Sequence, residues 1–323
     1  MVTASGPDGT VRIENLSYAY SGDRLALDGV GLAVQSGATL ALVGSNGSGK
    51  STLLSLLATR LKPQVGNATV MTVAGADVAS DPAAVRSRIA VVFQRPSLDV
   101  KLTARENLKY EAMLHGLRGS LREQRIVEAL ESSGLAGRAG DRVESFSGGM
   151  RRRLEIAKAM MHRPAVMLLD EPDTGLDVRA LDEVWEQLET QRATHGTTLV
   201  IATHRMELAE RCDAVAVLHT GRKVADGSPD ALRALLPGGV LRVEAEVSAL
   251  EPITSAVAGM RDAWSEASRP RIVRGEVVAY ADDPASLAAE LQRAFGDRLH
   301  RVAYGRSTMH DVFLALTGED PAG

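Results

Sequence analysis

The sequence predicts an α/β fold built around a phosphate-binding loop, with a helical insertion in the first domain and a small α+β unit after it. Three observations carry that expectation. Residues 44–52 read GSNGSGKST, which satisfies G-x-x-x-x-G-K-[ST]. The loop sits between a short apolar run (38–43, ATLALV) and a leucine-spaced segment (51–61, STLLSLLATRL), the strand–loop–helix context that the motif needs. Apolar runs then alternate with helical periodicity, and one of them, 165–169 (AVMLL), stops on two carboxylates, Asp170 and Glu171. A parallel sheet would present those acids at its carboxyl edge, where α/β proteins bind ligands.

The elements follow in order. Strand-like segments surround residues 11–16, 30–34 and 38–43, and another lies near 68–73 after the loop helix. Residues 89–93 (IAVVF) are short and wholly apolar, as a central strand is. From about 101 to 162 the period becomes helical with few β-branched residues: ENLKYEAMLHGL, LREQRIVEALESSGL and GGMRRRLEIAKAMM. Strands resume at 165–169, 198–202 and 214–218. Pro237-Gly238-Gly239 reads as a domain boundary. Residues 1–236 are thus one domain, with a helical subdomain at about 97–162, and 240–323 a second. The second is expected to run strand 241–247, helix 253–265, strands 271–273 and 276–280, helix 285–295, strand 299–304 and helix 309–316. That is a β-α-β-β-α-β order of the ferredoxin-like kind, closed by a last helix.

Composition sets limits on function. The 323 residues carry a net charge of −4, and all of it lies in 240–323, where nine arginines face thirteen acids. No basic surface suggests nucleic acid, so none is expected as a partner. With one cysteine, Cys212, neither an internal disulfide nor a cysteine zinc site can form, and Cys212 reads as a small buried side chain. No window of 18 apolar residues exists, and the N-terminus lacks the basic start and apolar stretch of a signal peptide, so the chain is expected to stay in the cytosol.

The candidate site is read from the loop outward. Backbone N–H groups over Gly44, Ser45, Asn46, Gly47, Ser48 and Gly49 would close around a polyphosphate. Lys50 would reach the terminal phosphates, Ser51 would offer its hydroxyl to Mg²⁺, and Thr52 completes the first turn. Asp170 is placed to hold the same Mg²⁺, and Glu171 to polarise an attacking water. A second phosphate-binding feature is Phe146–Met150 (FSGGM): Ser147 would cap the following helix, and the amides of Gly148 and Gly149 would point out of its start. Two such helix starts with one nucleotide loop imply that the second serves the γ-phosphate of a nucleotide held by another copy of the chain. Arg151–Arg153 fan out around the helix at ~100° steps and are expected to be solvated or at an interface. Met160 and Met161 read as core.

These residues resemble the ATP-binding subunit of ABC transporters from about Val11 to Leu236. The resemblance implies a P-loop NTPase cassette, a RecA-like core plus a helical subdomain, that binds and hydrolyses ATP with Mg²⁺. GSNGSGKST resembles Walker A, LLDEP Walker B, and FSGGM the signature usually written LSGGQ, with Phe146 and Met150 departing from it. By the same resemblance Tyr20, or else Tyr18, stacks on adenine. Gln94 is the Q-loop glutamine that reaches the metal or the water, Asp177 in Gly175-Leu176-Asp177 belongs to the D-loop, and His204 is the switch histidine that contacts the γ-phosphate. Asp173 stands where relatives commonly have threonine. Residues 93–108 (FQRPSLDVKLTARENL) and the tail STMHDVFLALTG resemble the exporter subfamily of daunorubicin-resistance and nodulation-factor export ATPases.

The implied assembly is a homodimer of ATPase subunits on the cytoplasmic face of a bacterial membrane, driving separately encoded integral-membrane permease subunits. Leu98, Val100 and Leu102 are candidate contacts for that partner. Two other uses of such a cassette stay open, an import ATPase and a soluble ATP-gated clamp. Against the clamp stand the absence of long heptads, zinc cysteines, a basic stripe and a second cassette in the chain.

Overall fold

The computed structural model describes residues 10–20, 24–64, 70–260, 265 and 268–319. The chain opens with a hairpin, β1 (Val11–Ala19) and β2 (Leu25–Val34), then enters β3 (Thr39–Val43) and, through the glycine loop, α1 (Lys50–Leu57). After β4 (Val70–Val73) and β5 (Ala76–Asp77), α2 (Pro82–Arg88) leads into β6 (Ile89–Val92). Three helices follow, α3 (Ala104–Leu114), α4 (Gly119–Ser132) and α5 (Gly148–Met160). Next come β7 (Val166–Asp170), α6 (Val178–His195), β8 (Thr198–Thr203), α7 (Met206–Ala209), β9 (Ala214–His219), β10 (Arg222–Gly227) and α8 (Pro229–Arg233). The C-terminal part comprises β11 (Gly239–Ala245), α9 (Val247–Gly259), β12 (Arg271–Val273), β13 (Glu276–Ala281), α10 (Pro284–Phe295), β14 (Leu299–Arg306) and α11 (Met309–Thr317).

The central sheet has the order β10-β9-β3-β8-β7-β6 and is parallel except for β10. Its parallel strands are buried on both faces, which is why they read as unbroken apolar runs, whereas the antiparallel edge strand β10 is half exposed. Leu40 and Leu42 pack with the antiparallel sheet β2-β1-β4-β5 and with α1, whereas Ala41 and Val43 face the layer of α5, α6 and α7. This two-residue alternation anchors β3 from both sides and fixes the loop that leaves its end.

The helical insertion has its own core, in which Leu108, Ile126, Leu135, Phe146 and Leu154 are buried. Helix α3 starts on a capping box: Thr103 accepts from the Glu106 amide and Glu106 reaches back to Thr103, a T-x-x-E signal visible in the sequence. Leu98 belongs to this core at 9% exposed, so it is not an available partner contact; Val100 is exposed. The apolar character that suggested docking for Leu98 is used internally.

The third sheet has the order β12-β13-β11-β14, antiparallel throughout, with α9 and α10 as crossovers. Helix α9 begins six residues ahead of the expected start and carries Pro252 inside it. A proline one turn into a helix loses a single amide bond, which the packing of Ala249, Leu250, Ile253 and Val257 offsets. Residues 261–264 of the expected helix, and 68–69 of the expected strand, lie outside the described residues. The last helix joins the two parts. Met309, Val312 and Phe313 of α11 are buried in one cluster with Leu208, Leu232 and Leu236 of the cassette, and Asp311 pairs with Arg242 at 2.6 Å.

Candidate functional site: a nucleotide cavity and a carboxylate cluster

Residues 44–49 connect the carboxyl end of β3 to α1, so the loop amides and the first turn of α1 face one cavity of about 600 Å³. The glycines are there for contact and conformation. A Cβ on Gly44 would meet Leu218 O at 2.5 Å and collide with Ser48 Oγ. Gly49, at φ 106°, would put one 2.7 Å from Leu27 Cδ2 and 2.8 Å from Ala26 O. The turn between β9 and β10 braces the loop, since the Gly221 amide donates to Ser48 O at 3.1 Å. Lys50 is buried and donates to Gly44 O (2.6 Å) and Ser45 O (3.0 Å). Burial holds its pKa below the usual lysine value, while Glu171 and Asp170 pull it back up.

The cavity wall also includes Tyr20, Arg24, Ala26 and Thr220. Tyr18 is 8% exposed and packs in the core, whereas Tyr20 is 63% exposed and hydrogen-bonds Thr52 Oγ1 at 3.0 Å. Tyr20 stands just past the end of β1, and its ring lies edge to face on Tyr18 with centroids 5.3 Å apart, so the inner ring is covered and the outer one is left open. Of the pair, Tyr20 lines the cavity. Glu319, just past α11, reaches the same wall and lies 3.6 Å from His219 Nδ1. No local signal marks Glu319 in the sequence, because the docking of α11 brings it there.

Asp170 ends β7, and its Oδ1 accepts from Ser51 Oγ at 3.3 Å. Burial raises the Asp170 pKa, against the Ser51 hydrogen bond and the Lys50 charge. A hydroxyl and a carboxylate converging beside a polyphosphate cradle form the oxygen set that suits Mg²⁺, which keeps waters and substrate oxygens for its other positions. Among the described residues no group of three or more His, Cys, Asp and Glu could hold a metal.

Glu171 is a non-glycine residue at φ 47°, in the sparsely populated left-handed region. Its amide donates to Ala202 O and its Oε2 accepts from Gln94 Nε2 at 2.8 Å and Thr174 Oγ1 at 3.1 Å. His204 Nδ1 lies 3.4 Å from the other carboxylate oxygen. The fold thus brings Gln94, Glu171 and His204 together from three separate strand ends. Gln94 meets Glu171 here, not the Ser51–Asp170 pair.

Ser147, Gly148 and Gly149 are elsewhere. Ser147 caps α5 by accepting from the Met150 amide at 3.3 Å, and the amides of Gly148 and Gly149 precede any i−4 carbonyl. The lining of the nucleotide cavity includes none of the three. They pack on the start of α6 instead, where a Cβ on Gly149 would lie 2.9 Å from Ala180 Cβ; Asp177 caps that helix, accepting from the Ala180 amide at 2.8 Å.

The ABC transporter family profile matches residues 27–174. The chain is 39% identical over 314 residues to the daunorubicin resistance ATP-binding protein DrrA2 of Streptomyces coeruleorubidus, covering 95% of both chains. The chain belongs to the ABC transporter family, as an ATP-binding subunit. It is also 37% identical over 304 residues to the Nod factor export ATP-binding protein I of Burkholderia lata, covering 93% of this chain and 94% of that one. The solved structure of cbiO1 from Clostridium perfringens, part of the ABC transporter complex cbiONQ, aligns with a TM-score of 0.65 at 28% identity, over 70% of this chain and 91% of that one. A dimeric ATP-binding cassette in a post-hydrolysis state, bound to ADP and Pi, aligns with a TM-score of 0.60 at 26% identity, over 68% of this chain and 98% of that one. The subunit is an ATP-hydrolysing cassette homologous to exporter ATPases.

The structure also corrects the expectation for the three successive arginines. The fan of Arg151–Arg153 does not leave all three in solvent: Arg152 is 6% exposed and points between α5 and the sheet. At 100° per residue one of three successive side chains must face inward, and here the inward one finds acceptors. Cys212 is 5% exposed and its thiol is pushed up to about 12 by burial, so it is unreactive packing; Met160 and Met161 are core.

Proposed function

We propose that this subunit powers export by a membrane partner, closing as a head-to-tail homodimer over two Mg·ATP. One observation carries the reading. Among the described residues, α1 starts on the glycine loop and α5 on the Ser147 cap, both sequence motifs suited to phosphate, and the cavity at the first draws no residue from the second. Each protomer therefore holds part of a catalytic pocket, and Ser147, Gly148 and Gly149 of its mate supply the rest. Adenine stacks on Tyr20; the loop amides and Lys50 bind the phosphates. Ser51 and Asp170 hold Mg²⁺, which supplies charge neutralisation at the transferring phosphate. Glu171 accepts the proton of the attacking water, with Gln94 and His204 fixing its carboxylate, and Asp177 lies where the two copies meet.

Among the described residues no helix is long and apolar enough to cross a membrane, so the transport path belongs to separate permease subunits. Exposed Val100, ahead of α3, is the residue of the helical insertion assigned to dock them on the cytoplasmic side. The export direction is supported by the daunorubicin-resistance and Nod factor export relatives. Glu171→Gln, assayed for ATP turnover and for ATP-dependent dimerisation by size exclusion, should nearly abolish turnover and trap a dimer. Wild-type turnover by that variant, or full activity of a Ser147→Ala monomer independent of dilution, would refute the reading.

A further inference from the structure

We propose that Arg152 is a positioning residue that ties the helix whose start serves the partner's nucleotide to this chain's own Glu171 and Gln94. The inference rests on the dimer reading above. Arg152 lies one turn inside α5, five residues beyond the Ser147 cap. Its guanidinium donates to Phe93 O at 3.0 Å, to Glu171 O at 3.2 Å and to Glu155 Oε2 at 3.1 Å. Phe93 immediately precedes Gln94. One planar cation thus holds the main chain on both sides of the Gln94–Glu171 hydrogen bond, and it does so from the signature helix. A guanidinium suits the task because its fork of five donors is rigid, whereas an ammonium is a point charge.

The surroundings show what this placement requires. Burying a guanidinium is unfavourable unless it is paired and hydrogen-bonded, and burial indeed works against the Arg152 charge, opposed first by Glu155 and then by Asp173. Glu155 is 4% exposed and its other oxygen accepts from the Ser97 amide at 2.5 Å, so the pair also clamps the segment after Gln94. Asp173 is 2% exposed; Oδ1 accepts from Thr203 Oγ1 at 3.2 Å, while Oδ2 has no hydrogen-bond partner and lies 4.0 Å from Arg205 Nε. This buried carboxylate, beside Arg205, also favours the charged form of Arg152. This gives Asp173 a physical role that its position in the sequence did not suggest. Closure of a partner nucleotide on the α5 start would then be felt, through a rigid turn of helix, at the backbone of Glu171 in the left-handed conformation.

The test is a double-mutant cycle on the full chain with ATPase kinetics and size exclusion in ATP. Arg152→Gln should lower kcat by about 30-fold, with KM within about twofold and the ATP-bound dimer still forming, because it removes support for the general base and leaves the cavity intact. Added to Glu171→Gln it should cause less than about a threefold further loss, since residues acting as one unit are not additive. Arg152→Lys keeps the charge and should recover part of the rate; it also serves if Arg152→Gln fails to fold. Wild-type kcat in both Arg152 variants, full multiplication of the two losses, or loss of dimerisation in step with kcat would each overturn the proposal. If Glu171→Gln alone turns over like wild type, the site reading has failed and Arg152 falls with it for that reason.

Discussion

Gln94 donates to Glu171 Oε2 at 2.8 Å, joining the end of β6 to the residue that follows β7. The hydrogen bond crosses neighbouring parallel strands and leaves the second oxygen facing His204.

Replacing Gln94 tests what that bond does. Gln94 does not line the nucleotide cavity, so Gln94→Ala should lower kcat by about 10-fold through a less well-held general base, with KM little changed. Steady-state turnover across an ATP titration separates the two parameters; a pure rise in KM would place Gln94 in substrate binding.

Tyr18 in β1 and Tyr20 just past its end should separate stability from binding. Tyr20→Ala removes a stacking face and should weaken ATP binding by about 10- to 100-fold, from ~1–3 kcal/mol per stacked base, with little change in Tm. Tyr18→Ala empties a buried site and should destabilise the fold by about 3–5 kcal/mol. Equilibrium nucleotide binding and denaturant unfolding of both variants decide the matter.

Two loop glycines differ in a checkable way. Gly49→Ala forces a Cβ into Leu27 and Ala26 O, and nucleotide binding should be lost. Gly47, at φ 80°, has nothing within 4 Å of its would-be Cβ, so Gly47→Ala should cost about 1 kcal/mol of backbone strain and retain most binding. Equal losses in a side-by-side binding titration would contradict the contact argument.

His162 makes stability depend on pH. It donates from Nε2 to Ile89 O at 2.9 Å, stacks on His115 at 3.8 Å, and its Nδ1 is buried without a partner. Burial, and then the neighbouring His115, hold its folded pKa below the usual histidine value. The unfolded chain therefore binds more protons as pH falls below about 6.5, and stability should be lost from there down to the folded pKa. In urea unfolding at a series of pH values, His162→Gln should flatten the acid limb; an unchanged slope would assign the loss to carboxylates.

Leu98 and Val100 differ although they are two residues apart. Leu98→Asp should destabilise the helical insertion by several kcal/mol on the order of a buried unpaired charge, whereas Val100→Asp should leave Tm and basal ATPase within error and uncouple transport. Thermal melts, ATPase and transport in cells carrying the membrane partner measure all three.

Much of this protein was legible in its residues alone. The GSNGSGKST loop, the Asp170–Glu171 strand end and the FSGGM helix start are each a few consecutive residues, so a local pattern was enough to single them out. The positions of the central strands along the chain could be read because parallel strands are apolar on both faces, whereas their order in the sheet came only from the structure. What only the tertiary structure decided is environment. Which tyrosine meets the cavity, which of three arginines turns inward, why a lone Asp173 is tolerated and why Leu98 is unavailable all depend on burial and fields summed over elements far apart in the chain. Arg152 finds its acceptors at Phe93 and Glu171, 59 and 19 residues away, and no local pattern encodes a contact at that range.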